Sequence, residues 1–266
     1  MPTVVPTLVG LPYDASSSFL RGAAAAPAAI RAALCSPSTN EWSESLTDLG
    51  AASMLADAGD LDLSDGATVR EAIERGIRAT IDGGGRPISL GGDHSVTYPI
   101  LRGIRPSQQQ LTILHIDAHP DLYEVYEGDR FSHACPFARI MEERLADRLV
   151  QVGIRTMNGH QRAQTDRFGV EVIDMRAWSA GARPEIGGPV YISLDMDALD
   201  PAFAPGVSHR EPGGLSTREV ISLIQSITGP IVGADVVELN PACDVSGMTS
   251  PVCAKLVKEL AGRMIG

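Results

Sequence analysis

The sequence predicts an α/β fold in which a parallel β-sheet is covered by helices on both faces. Short apolar runs typical of buried strands recur along the chain, and the stretches between most of them have helical periodicity. A large core is available, because 44% of the 266 residues are hydrophobic. No linker rich in Gly, Pro or Ser divides the chain, so we expect one domain over residues 1–266.

Seven apolar runs are the predicted strands. In chain order they cover residues 3–11, 87–92, 111–119, 149–155, 170–175, 189–197 and 231–239. Runs of this kind are typical of strands that are buried on both faces of a sheet. Helical periodicity predicts helices between them, and an Ala-rich stretch and the C-terminal stretch predict two more. These helices cover residues 22–34, 66–81, 133–148, 216–227 and 250–265.

Composition narrows the functional classes. The formal net charge of −11 argues against a nucleic-acid or anionic-membrane partner, because both require clustered lysine and arginine. The four cysteines have no CxxC spacing, which indicates reduced thiols. The run MPTVVPTLVG lacks the basic region of a signal peptide, and no apolar run approaches the roughly 20 residues of a membrane span. We therefore expect a cytoplasmic protein.

Acidic residues and histidines follow four of the predicted strands. Ligands bind at the carboxyl ends of the strands in a parallel α/β sheet, so these side chains are expected to meet. A strand would also place alternate residues on one side. The residues concerned are Asp93, His94, Asp117, His119, Asp121, Asp195, Asp197, Asp200 and Glu238. We interpret Asp93 and Asp200 as turn or helix-capping residues, His115 as a core or supporting histidine, and His160 as a solvated loop residue.

The acidic residues and histidines that are not explained as turn or capping residues predict a metal site. Several carboxylates this close together stay ionised only when a cation compensates their charge, and neither ILHIDAHPDLY nor YISLDMDALD contains Lys or Arg. The candidate ligands are oxygen or imidazole nitrogen, with no thiolate, which indicates a hard or borderline metal. They exceed what one catalytic ion uses. Two ions that share carboxylates, roughly 3.5–4 Å apart, are therefore expected.

The motifs GGDHS, DAHPD and SLDMDALDPAFAPG, in this order, resemble those of the arginase/agmatinase (ureohydrolase) family. The likeness extends from GLPYDASSSFLRGAAAAPAAIR to IVGADVVELNP and so covers nearly the whole chain. It implies a three-layer α/β/α sandwich with a mostly parallel eight-stranded sheet. It also implies a homotrimer or homohexamer.

The resemblance further implies two Mn²⁺ ions per chain, and all six ligand positions of the family are filled. The expected ligands are His94 and Asp121 at one ion, His119 and Asp197 at the other, and Asp117 and Asp195 bridging the two. Oxygen and nitrogen ligands would also accept cobalt, nickel or iron. Two further classes are a one-zinc deacetylase of related fold and a non-catalytic family member. The complete ligand set argues against both.

The chemistry implied by the resemblance is hydrolysis of a guanidino group. A hydroxide that bridges the two metal ions would attack the guanidino carbon, and urea and an amine would leave. Asp121 is expected to orient the hydroxide and pass on its proton, Glu238 to bind the guanidinium, and His133 to relay protons. The alternative interpretations are that His133 is structural and that Glu238 only orients a ligand.

The resemblance also implies that the substrate is a small cationic guanidino compound. Residues 126–143, 149–158 and 200–216 are most similar to plant-type arginases, which favours hydrolysis of L-arginine to L-ornithine and urea. Hydrolysis of agmatine to putrescine and urea, or of another ω-guanidino compound, remains open. Tyr123 and Asn158 are expected at the substrate tail. His209 and Arg210 are either tail contacts or surface loop residues.

Overall fold

One β-sheet of eight strands organises the chain in the computed structural model, which describes residues 5–51, 54–66, 68–245 and 247–266. The strands are β1 Val5–Gly10, β2 Ala56–Asp60, β3 Gly85–Leu90, β4 Thr112–Ile116, β5 Arg148–Val152, β6 Glu171–Ile173, β7 Val190–Asp195 and β8 Ile231–Val237. They lie in the order β2-β1-β3-β8-β7-β4-β5-β6, and all neighbouring pairs are parallel. Residues 3 and 4 of the first predicted strand and residue 67 of a predicted helix lie outside the described residues.

Helices cover both faces of this sheet. They are α1 Ala26–Leu34, α2 Val69–Asp82, α3 Thr97–Ile104, α4 Pro136–Glu142, α5 Gly159–Phe168, α6 Met175–Ser179, α7 Thr217–Ser226 and α8 Thr249–Ile265. Helices α1, α6, α7 and α8 share one hydrophobic core, and α2, α3 and α4 share the other. The predicted α/β/α sandwich is confirmed, with a sheet that is wholly parallel.

Adjacent strand residues enter opposite cores, which explains why the central strands are apolar throughout. Tyr191 packs in the core beneath α2 and α3, whereas Ile192 packs beneath α7 and α8. All six residues of β7 are buried. Each fully buried large apolar side chain contributes about 1.5–3 kcal/mol relative to an exposed one. The C-terminal helix α8 belongs to a core, as its periodicity predicts, through Leu256 and Leu260 among others.

The predicted elements are found, with two differences. Strand β2 was not predicted, because ADAGD contains no apolar run and four of its five residues are exposed. The predicted helix over residues 133–148 is shorter in the structure. Pro136 occupies its first turn, and Arg144, with φ of 54°, follows its end. Among the described residues, no helix is both long enough and apolar enough to cross a membrane.

Candidate active site

Four neighbouring strands in the middle of the sheet carry the predicted site residues at their carboxyl ends. These strands are β3, β8, β7 and β4, in that order across the sheet. Their registers align the ends: Leu90 pairs with Val236, Val237 with Asp195, and Leu194 with Ile116. Residues far apart in sequence therefore converge on one edge.

The local reason for this convergence differs from the predicted one. Strand β4 ends at Ile116, so strand alternation does not align Asp117, His119 and Asp121, and that interpretation is wrong. Residues 117–119 form a bend in which the His119 N–H donates to Asp117 Oδ1 at 2.6 Å, and Asp121 has φ of 48°. Asp197 likewise lies in a 3-10 helix, where its N–H donates to Asp195 Oδ1 at 2.7 Å.

Glycine lets the chain approach closely at the edge of the site. A Cβ atom on Gly92 would lie 1.6 Å from the carbonyl oxygen of Tyr13, so only glycine fits there. The N–H of Asp93 donates to the same carbonyl oxygen. This contact fixes the turn that carries His94 from β3 into the site.

His94 stands at the centre of a carboxylate cluster. Its Nδ1 atom lies 3.2 Å from Asp117 Oδ2 and 3.1 Å from both Asp121 Oδ2 and Asp195 Oδ2. The atom is buried and has no hydrogen-bond partner. Ligands about 2.1 Å from an octahedral ion are roughly 3 Å from their neighbours, so the three distances from His94 Nδ1 suit ligands of a common metal ion.

A buried chain of hydrogen bonds places a proton on Nε2 of the His94 ring. Ser193 Oγ donates to Asp235 Oδ1 at 2.8 Å and lies 2.9 Å from His94 Nε2, so it accepts the Nε2 proton. Thr97 and Tyr191 donate to the other oxygen of Asp235. With the proton held on Nε2 in this way, Nδ1 would be free to bind a metal, in the tautomer that a metal ligand requires.

A second cluster adjoins the first and shares Asp117 with it. His119 Nδ1 lies 3.1 Å from Asp197 Oδ2 and 3.5 Å from Asp117 Oδ1. Asp117 therefore presents one oxygen to each cluster. Asp195 Oδ2 lies in the first cluster, and its Oδ1 accepts the backbone N–H of Asp197, a residue of the second.

The electrostatics of the two clusters favour a cation. Burial and the neighbouring carboxylates raise the pKa of Asp195 well above its usual range. Burial also raises the pKa of Asp197, and Asp117 adds to the effect. A divalent cation would allow these groups to ionise, and the donor set of carboxylate oxygens and imidazole nitrogens suits such ions. The residues therefore fit a metal pair.

Glu238 and His133 lie together beside the first cluster. Glu238, with φ of 64°, accepts the His94 N–H at 2.9 Å and lies 3.0 Å from His133 Nδ1. The other ring nitrogen of His133 lies 2.9 Å from Ser18 Oγ. Burial alone lowers the pKa of His133, but Glu238 and other nearby carboxylates outweigh it and raise the pKa to about 9. Burial raises the pKa of Glu238, but His133 outweighs it and holds that pKa below its usual value.

A cavity of about 150 Å³ opens above both clusters. Tyr123 and His209 line it, together with Ser18, Tyr126 and Gln161, for which no role was predicted. These three have no motif of their own in the sequence. Ser18 lies within the N-terminal stretch of family likeness, and its approach to His133 spans 115 residues of chain. Only the tertiary fold brings it there.

Asn158 does not line this cavity. Its side-chain oxygen caps α5 by accepting the Gln161 N–H at 3.0 Å, and its amide nitrogen donates to the Tyr123 hydroxyl. A direct contact with the substrate tail stays a prediction. Arg210 is exposed, and its guanidinium binds the carbonyl oxygens of Pro205 and Cys243.

Three of the four residues interpreted as structural behave accordingly, and the interpretation of His160 as a loop residue is wrong because it lies in α5. Asp93 caps the 3-10 helix His94–Val96, and Asp200 accepts the N–H groups of three loop residues. His115 is buried, stacks on Phe137 and donates to Asp117 Oδ2 at 2.7 Å. His160 is exposed, although it lies in α5 and its ring stacks on Tyr123.

Two clusters of histidines and carboxylates lie beneath a polar cavity at the carboxyl ends of a parallel sheet. This arrangement is typical of metal-assisted hydrolases. Comparison with known proteins identifies the family within this class. The model of the arginase family matches residues 6–262. Arginase 1, mitochondrial, from Arabidopsis thaliana is 45% identical, over 97% of this chain and 80% of its own length. The chain belongs to the arginase family.

Solved structures agree with this assignment. The arginase from Medicago truncatula superposes with a TM-score of 0.94 at 41% identity, covering 98% of this chain and 88% of that one. A hypothetical agmatinase from Burkholderia thailandensis superposes with a TM-score of 0.85 at 30% identity, covering 98% and 86%. The fold is therefore common to both activities, and the arginase is the more similar of these two. Family membership also removes the zinc deacetylase alternative.

The expected cytoplasmic location is wrong. The Arabidopsis thaliana relatives at 45% and 43% identity are named as a mitochondrial arginase and a chloroplastic/mitochondrial arginase. The expectation rested only on the lack of signal-peptide and membrane-span patterns. Such patterns do not report on organelles that proteins enter by other routes.

Proposed function

We propose that this protein is an arginase that hydrolyses L-arginine to L-ornithine and urea. The observation that carries the proposal is the cavity, in which Glu238 stands beside a paired histidine–carboxylate cluster. The similarity to plant arginases over nearly the whole chain supports L-arginine as the substrate. We further propose that residues 1–266 act as one domain and that the chain forms a homotrimer or homohexamer.

The proposed cofactor is a pair of Mn²⁺ ions. Their ligands would be His94, Asp121, His119, Asp197 and the bridging Asp117 and Asp195. When bound, such a pair lowers the pKa of water and so supplies hydroxide at neutral pH. The contacts of Asp117 with both clusters support its bridging role.

The chain's own residues would bind the substrate and move protons. The carboxylate of Glu238 would pair with the planar guanidinium through charge-assisted hydrogen bonds. Asp121 would orient the nucleophile and accept its proton on the carboxylate oxygen that does not hold the metal. As the oxygen of the nucleophile bonds to the guanidino carbon, the bond from that carbon to the chain nitrogen breaks, the nitrogen takes up the proton held by Asp121, and urea leaves. His133, with its raised pKa, holds a proton at pH 7 and would relay protons at the cavity.

The first test compares L-arginine with agmatine in urea-release assays of manganese-loaded protein. We expect kcat/KM to be at least tenfold higher for L-arginine, about 1.4 kcal/mol of differential transition-state binding. One observation favours the second candidate: no Lys or Arg lines the cavity in the described residues to pair with an α-carboxylate. A preference for agmatine would therefore replace arginase by agmatinase. Urea from neither would point to another guanidino substrate.

Replacing His133 with alanine is expected to lower kcat on the order of a hundredfold while both metal ions stay bound. The side chain contacts Glu238 and Ser18 rather than the clustered ligand atoms, so it acts on protons and not on the metal. Steady-state kinetics and metal analysis of the same preparation check both parts. Parallel loss of metal and activity would instead make His133 structural.

A further inference from the structure

The tail of an α-amino acid substrate requires a partner for its carboxylate within the cavity. Four carboxylates line the cavity, Asp121, Asp195, Asp197 and Glu238, and the lining contains no Lys or Arg among the described residues. The floor of the cavity offers the substrate carboxylate no partner, because its own carboxylates would hold the metal ions and the guanidinium. The substrate carboxylate must therefore be bound by uncharged donors or by an imidazole nearer the opening.

Most polar groups of the lining are already engaged. Ser18 Oγ lies 2.9 Å from His133 Nε2, and Thr156 Oγ1 donates to the carbonyl oxygen of Ala118 at 3.2 Å. The Tyr123 hydroxyl accepts from the amide of Asn158. Within the described part of the chain, the imidazole of His209 has ring contacts but no hydrogen bond, and of the lining hydroxyls that of Tyr126 has none either.

The ring of His209 lines the cavity near two histidines of the site. Its centroid is 5.2 Å from that of His133 and 6.0 Å from that of His119. The ring of Phe19 packs against it at 5.7 Å. An extended chain of six covalent bonds spans roughly 7 Å, which is the separation of the guanidino carbon and the carboxylate carbon in L-arginine. A guanidinium held at Glu238 would place the substrate carboxylate about that far away, and His209 lines the same cavity.

The loop that carries His209 is held on both sides. Ser208 Oγ donates to the carbonyl oxygen of Leu20 at 2.8 Å. On the other side, the Arg155 guanidinium binds the carbonyl oxygens of both Glu211 and Asp197 at 2.6 Å. The imidazole is therefore preorganised relative to the Asp197 cluster, and binding need not order the loop.

We propose that His209 is the specificity-determining residue of this site, donating a hydrogen bond to the α-carboxylate of the substrate. It thereby distinguishes an α-amino acid from the corresponding decarboxylated amine. This inference rests on the proposed arginase function, and it names the group by which that function recognises its substrate.

The test measures kcat/KM for L-arginine and agmatine in wild type, His209→Ala and His209→Gln, all loaded with manganese. In His209→Ala we expect the ratio of L-arginine to agmatine to fall at least tenfold, chiefly through KM for L-arginine. Agmatine turnover should change less than threefold. His209→Gln keeps an N–H donor, so it should recover part of the ratio.

Product binding supplies a readout that is independent of turnover. Calorimetric titration of His209→Ala should show at least tenfold weaker binding of L-ornithine and little change for putrescine, which lacks the carboxylate. Arg210→Ala is the matched control, because Arg210 braces the same loop through Pro205 and Cys243 but does not line the cavity. It should keep the wild-type substrate ratio.

The outcomes separate the two proposals. An unchanged ratio in His209→Ala, with wild type still preferring L-arginine, would overturn the role of His209 alone. An equal loss of ratio in Arg210→Ala would also overturn it, by assigning the effect to loop order. A wild type that prefers agmatine or releases no urea from L-arginine would overturn the proposed function, and the role of His209 with it.

Discussion

Replacement of Asp117 by alanine should lower kcat at least a thousandfold, about 4 kcal/mol of lost transition-state stabilisation. Asp117 is the only described residue whose two carboxylate oxygens face both clusters, at His94 Nδ1 and at His119 Nδ1. Its removal would weaken the binding of both ions at once. Kinetics in manganese-loaded protein, with metal analysis of the same sample, would measure the two losses together.

Thermal unfolding tests the loss of metal binding in Asp117→Ala independently of kinetics. Ions that bind only the folded chain raise Tm by mass action, so the manganese-dependent rise of wild type should be largely lost in Asp117→Ala. Asp166→Ala removes an exposed carboxylate on α5 and should behave as wild type. Two tightly bound ions and normal turnover in Asp117→Ala would show that the two clusters are not a shared metal site.

The fold was predictable where burial dominates the sequence. A central strand such as β7, buried along its whole length, must be apolar, and apolar runs identified seven of the eight strands. The eighth, β2, forms the sheet edge with largely exposed side chains, so its pairing with β1 left no hydrophobic pattern. Composition and periodicity do not encode such a strand. Only the family resemblance, which implies eight strands, predicted that an eighth strand exists.

The site was predictable to the extent that it lies at strand ends. Three of its residues end a strand or follow one directly, and a parallel sheet brings the carboxyl ends of its strands to the same edge. They are Asp117, Asp195 and Glu238. The cavity above them is different, because loops form it. Asn158 seemed a tail contact from its position in the sequence, yet the requirement to cap α5 occupies its side-chain oxygen. Ser18 reaches His133 only through the tertiary fold.

The contacts of Glu238 allow two roles, orienting a metal ligand or binding the guanidinium, and one variant can distinguish them. Its carboxylate accepts the backbone N–H of His94, which suits a residue that only orients a metal ligand. It also lines the cavity and lies beside His133, which suits a residue that binds the guanidinium. The Glu238→Gln variant keeps the size of the side chain and an oxygen acceptor for His94 but removes the charge.

If Glu238 binds the guanidinium, Glu238→Gln should lower kcat/KM at least a hundredfold, about 2.7 kcal/mol, without loss of metal. A charge-assisted hydrogen bond is roughly twice as strong as a neutral one, and the amide would leave the guanidinium charge unpaired in a buried site, so it cannot replace the carboxylate. Glu127→Gln is a matched control, since Glu127 is exposed and also has a left-handed backbone, with φ of 50° against 64° for Glu238. Loss of metal in proportion to activity would show that Glu238 acts through His94. Retained metal with impaired kinetics for both L-arginine and agmatine would assign the carboxylate to the guanidinium that the two substrates share.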